Sequence, residues 1–411
     1  MTFVTHVECS ICGHHHDPKR LLAVCDRCGQ MLAVRYDLDR VAAHVSKDAL
    51  RGRGPGMYRF RELTPLDDGE EPVTLGEGST PLLYLPRLAA HFGLRHVWAK
   101  DEGQNPTGTF KARGLGMAIT RARTLGARGF LVPSAGNAGG AAAVYAARAG
   151  LPCGVIVPRG TPAAAIAEAQ IAGAHVFTIE GSIATAGRIV AQAAPALGWF
   201  DLSTLKEPYR LEGKKTMGLE LAEQCGWQTP TVLLYPTGGG TGLVGIAKAY
   251  EELSSMGWLE GRWPRFMAVQ SEGCAPIVKA FSEGADVTAP WPDPVTAAAG
   301  LRVPSPFAGR QMLHVLRRTH GDAVAVSDTA IAEAQRLLAQ CEGVWTAPEA
   351  AALVAALPML QLRGEVERED RVVLILTGAG IKNDPPALPS PTDLEGDDDA
   401  IVAHVVRTLT R

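Results

Sequence analysis

Short apolar runs alternate along this chain with longer stretches whose apolar residues recur every three or four positions. Residues 130–133, 153–157 and 175–179 are largely apolar or β-branched and read as strands. Residues 141–150, 163–172 and 183–197 carry helical spacing. The same rhythm occurs on either side. A run at 97–100 precedes a helix-spaced stretch at 115–127, built on Leu115, Ala118, Ile119 and Ala122. A run at 231–236 precedes a helix at 243–253, and further runs lie at 266–270 and 371–376. This alternation predicts a parallel sheet with helices on its faces. Right-handed crossovers then bring the turn after each strand to one edge, where ligands bind in such folds. The flanks are plainer. A helix is expected at 41–50, a Gly/Pro/Arg-rich connection at 51–56 with irregular chain after it, a loose Pro- and Asp-rich segment at 384–399, and a terminal helix at 400–410. No internal repeat is found.

Composition narrows the class. A chain of 411 residues, 46% hydrophobic and 20% charged, has a globular profile, a large core and room for about two to three domains. A formal charge of −3 gives no reason to expect nucleic acid or an anionic membrane as partner. No apolar run approaches the ~18 residues of a membrane-spanning helix. Residues 1–6 lack the basic-then-apolar pattern of a secretion signal. A cytoplasmic enzyme acting on a small molecule is the expectation.

The cysteines fall in two groups. Cys9-x2-Cys12 is followed, after twelve residues, by Cys25-x2-Cys28. Each pair can wrap a knuckle around a metal, and two knuckles supply the closed tetrahedral thiolate set of structural zinc. Two disulfides would need an oxidising compartment, and a redox motif would need only one pair. One structural zinc ion on Cys9, Cys12, Cys25 and Cys28 is expected, in a zinc-ribbon-like module at 1–36. His14, His15 and His16 lie between the knuckles; with the thiolates filling the site, an exposed loop is expected there. Cys153, Cys225, Cys274 and Cys341 are scattered and read as small buried hydrophobes.

Candidate chemistry concentrates in the turns. Residues 105–114 read N-P-T-G-T-F-K-A-R-G, a Pro/Gly turn leading into the helix-spaced stretch. Lys111 therefore stands near a helix N-terminus, where free N–H groups and the positive dipole end disfavour an extra proton. A lysine so placed is a candidate amine nucleophile, although position alone also describes a solvated surface lysine. Residues 134–140 (S-A-G-N-A-G-G) make a glycine-rich turn after a strand. Residues 237–242 (T-G-G-G-T-G) make another before a helix and suit a phosphate held by backbone N–H groups. Gly240-x-Gly242-x-x-Gly245 also fits a dinucleotide fingerprint, with Glu272 as the ribose acid, so an NAD-dependent oxidoreductase stays open here. A Walker A loop does not, because no G-K-[ST] closes the glycine run.

Taken in order, these motifs resemble those of fold-type II pyridoxal-phosphate (PLP) enzymes, most of all the threonine synthase family. Residues 105–114 are similar to N-P-T-G-S-F-K-x-R-G. L-G-E-G-S-T-P-L at 75–82 is similar to the segment that opens the family's catalytic region. P-Y-R-L-E-G-K-K-T at 208–216 fits P-Y-R-x-E-G-x-K-T, and L-T-G-A-G-I-K at 376–382 is similar to l-t-G-x-G-l-K. The resemblance implies an α/β fold of the tryptophan synthase β type, two lobes with PLP between them. The large lobe would comprise 75–111 and 206–411, the small lobe 112–205, and 37–74 would link them to the zinc module. It implies Lys111 as the catalytic lysine that holds PLP as a Schiff base, with Phe110 beside it. It implies Asn137 on the cofactor's 3′-oxygen, Gly238, Gly239, Gly240, Thr241 and Gly242 as the phosphate cup, and Thr377 on the pyridine nitrogen. Ser134, Thr204 and Arg210 are implied as substrate ligands, the guanidinium forking onto a phosphate. A homodimer is usual for the fold.

The implied activity is that of a PLP-dependent lyase converting O-phospho-L-homoserine and water to L-threonine and phosphate. Three places depart from the family pattern. T-L-K-E at 204–207 stands where N-S-x-N is common, Ala138 where threonine is frequent, and Ala112 where Asp is common. They motivate an alternative, a β-replacing synthase or ammonia-lyase (cysteate synthase-like or threonine/serine dehydratase-like). A zinc-bearing interaction protein without catalysis is the remaining reading.

Overall fold

The computed structural model describes residues 2–259, 261–386 and 388–410. Its strands, in chain order, are β1 (Val4–Cys9), β2 (His15–His16), β3 (Leu32–Tyr36), β4 (Leu82–Tyr84), β5 (His96–Asp101), β6 (Phe130–Pro133), β7 (Cys153–Pro158), β8 (His175–Ile179), β9 (Phe200–Asp201), β10 (Val232–Pro236), β11 (Arg265–Ser271), β12 (Asp322–Val326) and β13 (Arg371–Leu376). Among the described residues they form three sheets. An antiparallel sheet β2-β1-β3 occupies the N-terminus. A parallel sheet has the order β8-β7-β6-β9. The largest has the order β12-β11-β10-β13-β5-β4, parallel except for β4. Chain before and after the smaller parallel sheet thus meets in one larger sheet.

The apolar runs behave as central parallel strands do, buried on both faces. Leu233, Tyr235, Val373 and Ile375 join a core continuous with the small parallel sheet and the N-terminal sheet. Their neighbours Val232, Leu234, Val372 and Leu374 join a second core on the opposite face, as the two-residue period of a strand requires.

Helices Lys111–Thr124, Asn137–Ala149 and Thr241–Ser255 all begin before their apolar periodicity does. The glycine and polar motif residues form the first turns, so candidate chemistry sits on helix N-termini. The segment 37–74 is packed chain. The helix expected at 41–50 is two, Leu38–His44 and Lys47–Arg51, parted at extended Val45 because Ser46 caps and restarts the second. A 3-10 helix, Met57–Leu63, follows, and Val41, Leu50, Met57, Phe60 and Leu63 are buried in the main core. His15 and His16 are strand rather than exposed loop, because pairing with β1 turns alternate side chains to opposite faces; His16 is 7% exposed. In the loose segment expected at 384–399, Ala387 lies outside the described residues; the terminal helix is Asp398–Leu409, capped by Asp397 and without a buried residue. Among the described residues no helix is long and apolar enough to cross a membrane.

Candidate active site

Neighbouring strands β10, β13 and β5 end at one edge of the large sheet. The chain leaving β10 is the glycine run, that leaving β13 is Thr377, and that leaving β5 leads to Lys111. The last two are stitched together. Phe110 N–H donates to the Thr377 carbonyl (3.0 Å), Ala379 N–H donates to the Gly108 carbonyl (2.9 Å), and Thr109 bridges Gly378. The Phe110 ring lies 6.4 Å from that of Tyr235 near the end of β10. The small sheet brings Ser134 and Asn137 after β6 and Thr204 after β9. A Cβ on Gly239 would lie 3.4 Å from the Thr204 methyl, so the two sheet edges meet at the glycine run.

That run has to be glycine. Gly240 has φ +78°, and a Cβ there would lie 2.1 Å from Met312 Sδ. A Cβ on Gly238 would lie 2.2 Å from the Gly300 carbonyl, and one on Gly242 would lie 2.0 Å from the Tyr235 hydroxyl. The run opens the Thr241–Ser255 helix, whose first N–H groups have no intrahelical acceptor. It is a cradle of the kind that holds a phosphate, and with a lysine amine at the start of the Lys111–Thr124 helix it fits PLP.

Lys111 is the first residue of its helix and half-buried, its Nζ 4.8 Å from the Phe110 ring. Burial, and then the Arg210 guanidinium, bring its pKa down to about 8 against the opposing field of Glu349. Arg210 is buried near the start of the Tyr209–Gln224 helix. Its Nη1 donates to the Leu202 carbonyl (2.7 Å), while its buried Nε has no partner. Further along the same face Lys214 is 1% exposed, donates to the Phe110 carbonyl, and lies 3.6 Å from the Phe110 ring. Burial, and then Lys111, push its pKa well below the usual lysine value. Gly114 and Gly245 leave it room: a Cβ on Gly114 would lie 3.1 Å from Lys214 Cε, and one on Gly245 2.9 Å from Lys214 Cβ.

The first turn of the Tyr209–Gln224 helix is anchored by Glu207, which accepts from the N–H groups of Tyr209 (2.7 Å) and Arg210 (3.1 Å). Burial pushes this carboxyl up to about 7 although Arg210 opposes the shift. The departure from the family pattern at 204–207 therefore serves the local structure, since Glu207 holds the helix end that carries Arg210. Ser134 is also engaged locally. Its Oγ accepts from Gly139 N–H (2.8 Å) and donates to the Gly136 carbonyl (2.8 Å). Asn137 is the first residue of the next helix.

Below Lys111 lies a dense ionic network. Arg113 donates to both oxygens of Glu102 (2.6 and 2.8 Å) and both oxygens of Glu220 (2.7 Å each), and Lys100 donates to Glu220 at 2.9 Å. The 75–82 motif feeds this network. Thr80 donates to Glu102 (2.6 Å), Ser79 N–H to Glu220 (2.7 Å), and Gly78 N–H to Asn105 (3.1 Å).

The N-terminal cysteines converge. Sγ separations are 3.4 Å for Cys9–Cys28, 3.5 Å for Cys12–Cys28 and 3.7 Å for Cys12–Cys25. Four sulfurs about 2.3 Å from a zinc ion would be roughly 3.8 Å apart, so the set fits the ion. Burial opposes ionisation of Cys9, but the N–H groups of Cys12 and Ile11 together with the Cys28 and Cys12 thiols bring it down to about 7, toward the thiolate a metal needs. Of the scattered cysteines, Cys153 and Cys274 are buried and Cys225 and Cys341 half-buried.

Sequence reasoning missed Lys214, Glu349 and the network below Lys111. A signal existed: the Tyr209–Gln224 helix carries Arg210, Glu212, Lys214, Lys215 and Glu220 between apolar neighbours and has no wholly polar face.

The fold and site are those of a PLP-dependent enzyme. Residues 73–378 match the family described as pyridoxal-phosphate dependent enzyme, and the chain belongs to it. Its relatives narrow the comparison. It is 35% identical to threonine synthase of Methanocaldococcus jannaschii over 92% of both chains. It is 34% identical to threonine synthase of Methanosarcina acetivorans over 96% of this chain and 97% of that one. Among solved structures, maize serine racemase shares the fold, with a TM-score of 0.63 at 23% identity over 80% of this chain and 92% of that one. The non-catalytic reading and the dinucleotide reading fall with the family match. In the latter's fingerprint Gly245 packs on the neighbouring helix and Glu272 is exposed.

Proposed function

We propose that the protein is a threonine synthase, converting O-phospho-L-homoserine and water to L-threonine and phosphate. The observation that carries this is the buried Arg210 guanidinium, with an unpartnered Nε, close enough to Lys111 to lower its proton affinity. It occurs in a chain similar to threonine synthases over nearly its whole length. PLP, when bound, supplies an electron sink that acidifies the substrate's α- and β-protons. The chain's own residues do the rest. Lys111 Nζ would hold the cofactor through its carbonyl carbon, and it moves protons at the substrate's α- and β-carbons. Its lowered proton affinity suits a base working near neutral pH. Backbone N–H groups of 238–242 would hold the cofactor phosphate, with Asn137 and the Thr377 hydroxyl as its further ligands. A neutral hydroxyl there does not force ring protonation as a carboxylate would. Arg210 takes the substrate phosphate and stabilises it as the γ-carbon–oxygen bond breaks. The proton taken from the β-carbon is returned to the γ-carbon, which becomes the methyl group; water then adds its hydroxyl at the β-carbon, its remaining proton balancing the departed phosphate, and the α-carbon regains its proton. Thr204, against the glycine run, lines the substrate side.

The test is a product assay. O-phosphohomoserine should yield threonine and phosphate in equal amounts, with no free ammonia. Should it yield no threonine while serine or phosphoserine turns over, the β-replacing synthase or ammonia-lyase takes its place.

A further inference from the structure

Neither the cysteine cluster nor the active site accounts for His6 and His15. Strands β1 and β2 pair with Val7 opposite His16 and Glu8 opposite His15. Alternation sends Val7, Cys9 and His16 inward, where all are buried, and His6, Glu8 and His15 outward. On the outer face the rings of His6 and His15 stack with centroids 3.9 Å apart. One ligand atom from each of His6, Glu8 and His15 lies within 4.8 Å of those of the other two.

These side chains are also held from behind. The Thr5 hydroxyl donates its single proton to the Arg35 carbonyl (3.2 Å). In its 2.9 Å contact with His6 Nδ1 the hydroxyl must therefore accept, and the imidazole donates. That tautomer leaves the Nε2 lone pair free. Arg35 Nε holds one oxygen of Glu8 at 2.6 Å and leaves the other available. Outer partners of this kind fix metal-binding imidazoles and carboxylates in place. Burial, and then the neighbouring His15, also lower the proton affinity of His6, which favours the neutral ring that ligates.

We propose that His6, Glu8 and His15 bind a divalent transition-metal ion at a site separate from the four thiolates. Two imidazoles and a carboxylate suit zinc, nickel or copper rather than calcium or magnesium. Three protein ligands leave positions for water, so this ion exchanges with solvent, unlike one enclosed by four thiolates. A second trio, His14, His16 and Asp26, occupies the same hairpin. There the carboxylate already lies 3.5 and 3.7 Å from the two rings, and this trio is the competitor that the experiment must separate.

Calorimetric titration of tag-free, zinc- and PLP-loaded full-length protein with Ni2+ tests the site. One nickel ion per chain should bind beyond the thiolate-held zinc. His6→Ala and His15→Ala should each weaken it by more than the roughly ten-fold that loss of an outer partner costs. Zinc content and the circular dichroism spectrum should stay as in the wild type. Cu2+ in place of Ni2+ should give an electron paramagnetic resonance spectrum with nitrogen couplings from imidazole. The proposal is overturned if no ion binds beyond the zinc, if both histidine variants titrate like the wild type, or if His14→Ala rather than His15→Ala abolishes binding.

Discussion

The Tyr209–Gln224 helix buries charge in two different ways. Near its C-terminal end Glu220 is enclosed by Arg113 and Lys100, and the ionic bonds close within the fold. Glu212 and Lys215, elsewhere on the helix, form a second closed set with Lys248, Glu252 and the hydroxyl of Tyr36, which ties β3 to the catalytic helices. On the side toward Lys111, Arg210 and Lys214 are as deeply buried, yet among the described residues neither has a carboxylate at ion-pair distance. Burial lowers even the paired Lys100 and Lys215, but the most strongly paired groups run the other way. Although burial acts against it, Arg113 holds its proton more tightly than a free arginine, and Glu220 is held far below the usual carboxylate range. Lys111, Arg210 and Lys214 are all lowered, burial being the first cause in each. The closed sets are structure. The open set has a deficit of negative charge, and a cofactor phosphate and a substrate phosphate are what would fill it.

The largest effect should come from the open set. Lys111→Ala should fold with wild-type circular dichroism and lose at least about 1000-fold in kcat. Borohydride should no longer fix cofactor to the chain. A variant that keeps the wild-type rate would remove Lys111 from the chemistry.

The closed set should answer through stability instead. Arg113→Met strands Glu102 without its cation and leaves Glu220 to Lys100 alone, and breaking a buried pair in this way costs about 3–5 kcal/mol. Lys214→Met strands no carboxylate and leaves only the Phe110 carbonyl without its donor, a cost of about 1–3 kcal/mol. Relief from burying an amine offsets part of that. Denaturant unfolding of both variants should therefore show Arg113→Met as the less stable by a wide margin. Equal losses would mean that the pairing distinction does not govern stability here.

Arg210→Ala discriminates by substrate. Losing a charge-assisted contact of about 2–4 kcal/mol corresponds to roughly 30- to 1000-fold in kcat/KM for O-phosphohomoserine. Homoserine, which lacks the phosphate, should already be poor with the wild type and should respond little to the substitution. If both substrates fall equally, Arg210 acts on the cofactor or the fold and not on the substrate phosphate.

Much of the molecule is legible in the sequence, and what escapes has a common reason. The parallel strands announce themselves as apolar runs, and the ligand edge follows from their alternation with helices. The convergence of the four N-terminal cysteines is readable from spacing, since two such knuckles have few other uses. What escapes are contacts between distant segments. Glu349 bears on Lys111 because Thr346 and Ala347 pair with the Gly378–Ala379 turn that also holds Gly108 and Thr109, and no local pattern encodes that. Lys214 looks like one more charge in a charged stretch; only the packing of glycines 114 and 245 around it shows it to be interior. The 75–82 motif reads as a glycine turn, but its Ser79 and Thr80 work as donors into the Arg113 network. Helix starts fall earlier than the apolar periodicity places them, because periodicity is silent where glycines and polar residues make the first turn. The burial of His16 escapes for a related reason: a two-residue strand is too short to display alternation.

The finest test of the open set is the titration of Lys111 itself, because two groups of opposite sign shift it. Arg210 lowers its proton affinity and Glu349 raises it, with burial the largest influence. In cofactor-free protein the amine should therefore become reactive toward an acylating reagent with a midpoint near pH 8, against about 10.4 for a free lysine. Arg210→Ala removes a neighbouring cation and admits water, and both changes favour the protonated amine, so the midpoint should move up. Glu349→Gln removes the one opposing anion, so the midpoint should move down, while Gly300 N–H keeps an acceptor in the amide oxygen. Peptide-resolved mass spectrometry of acylation at Lys111 across pH 6–11 reads all three proteins. Midpoints shifting in opposite directions would establish that Lys111 is tuned by this pair. A common midpoint would leave burial alone as the cause, and the electrostatic role of Arg210 toward Lys111 would have to be given up.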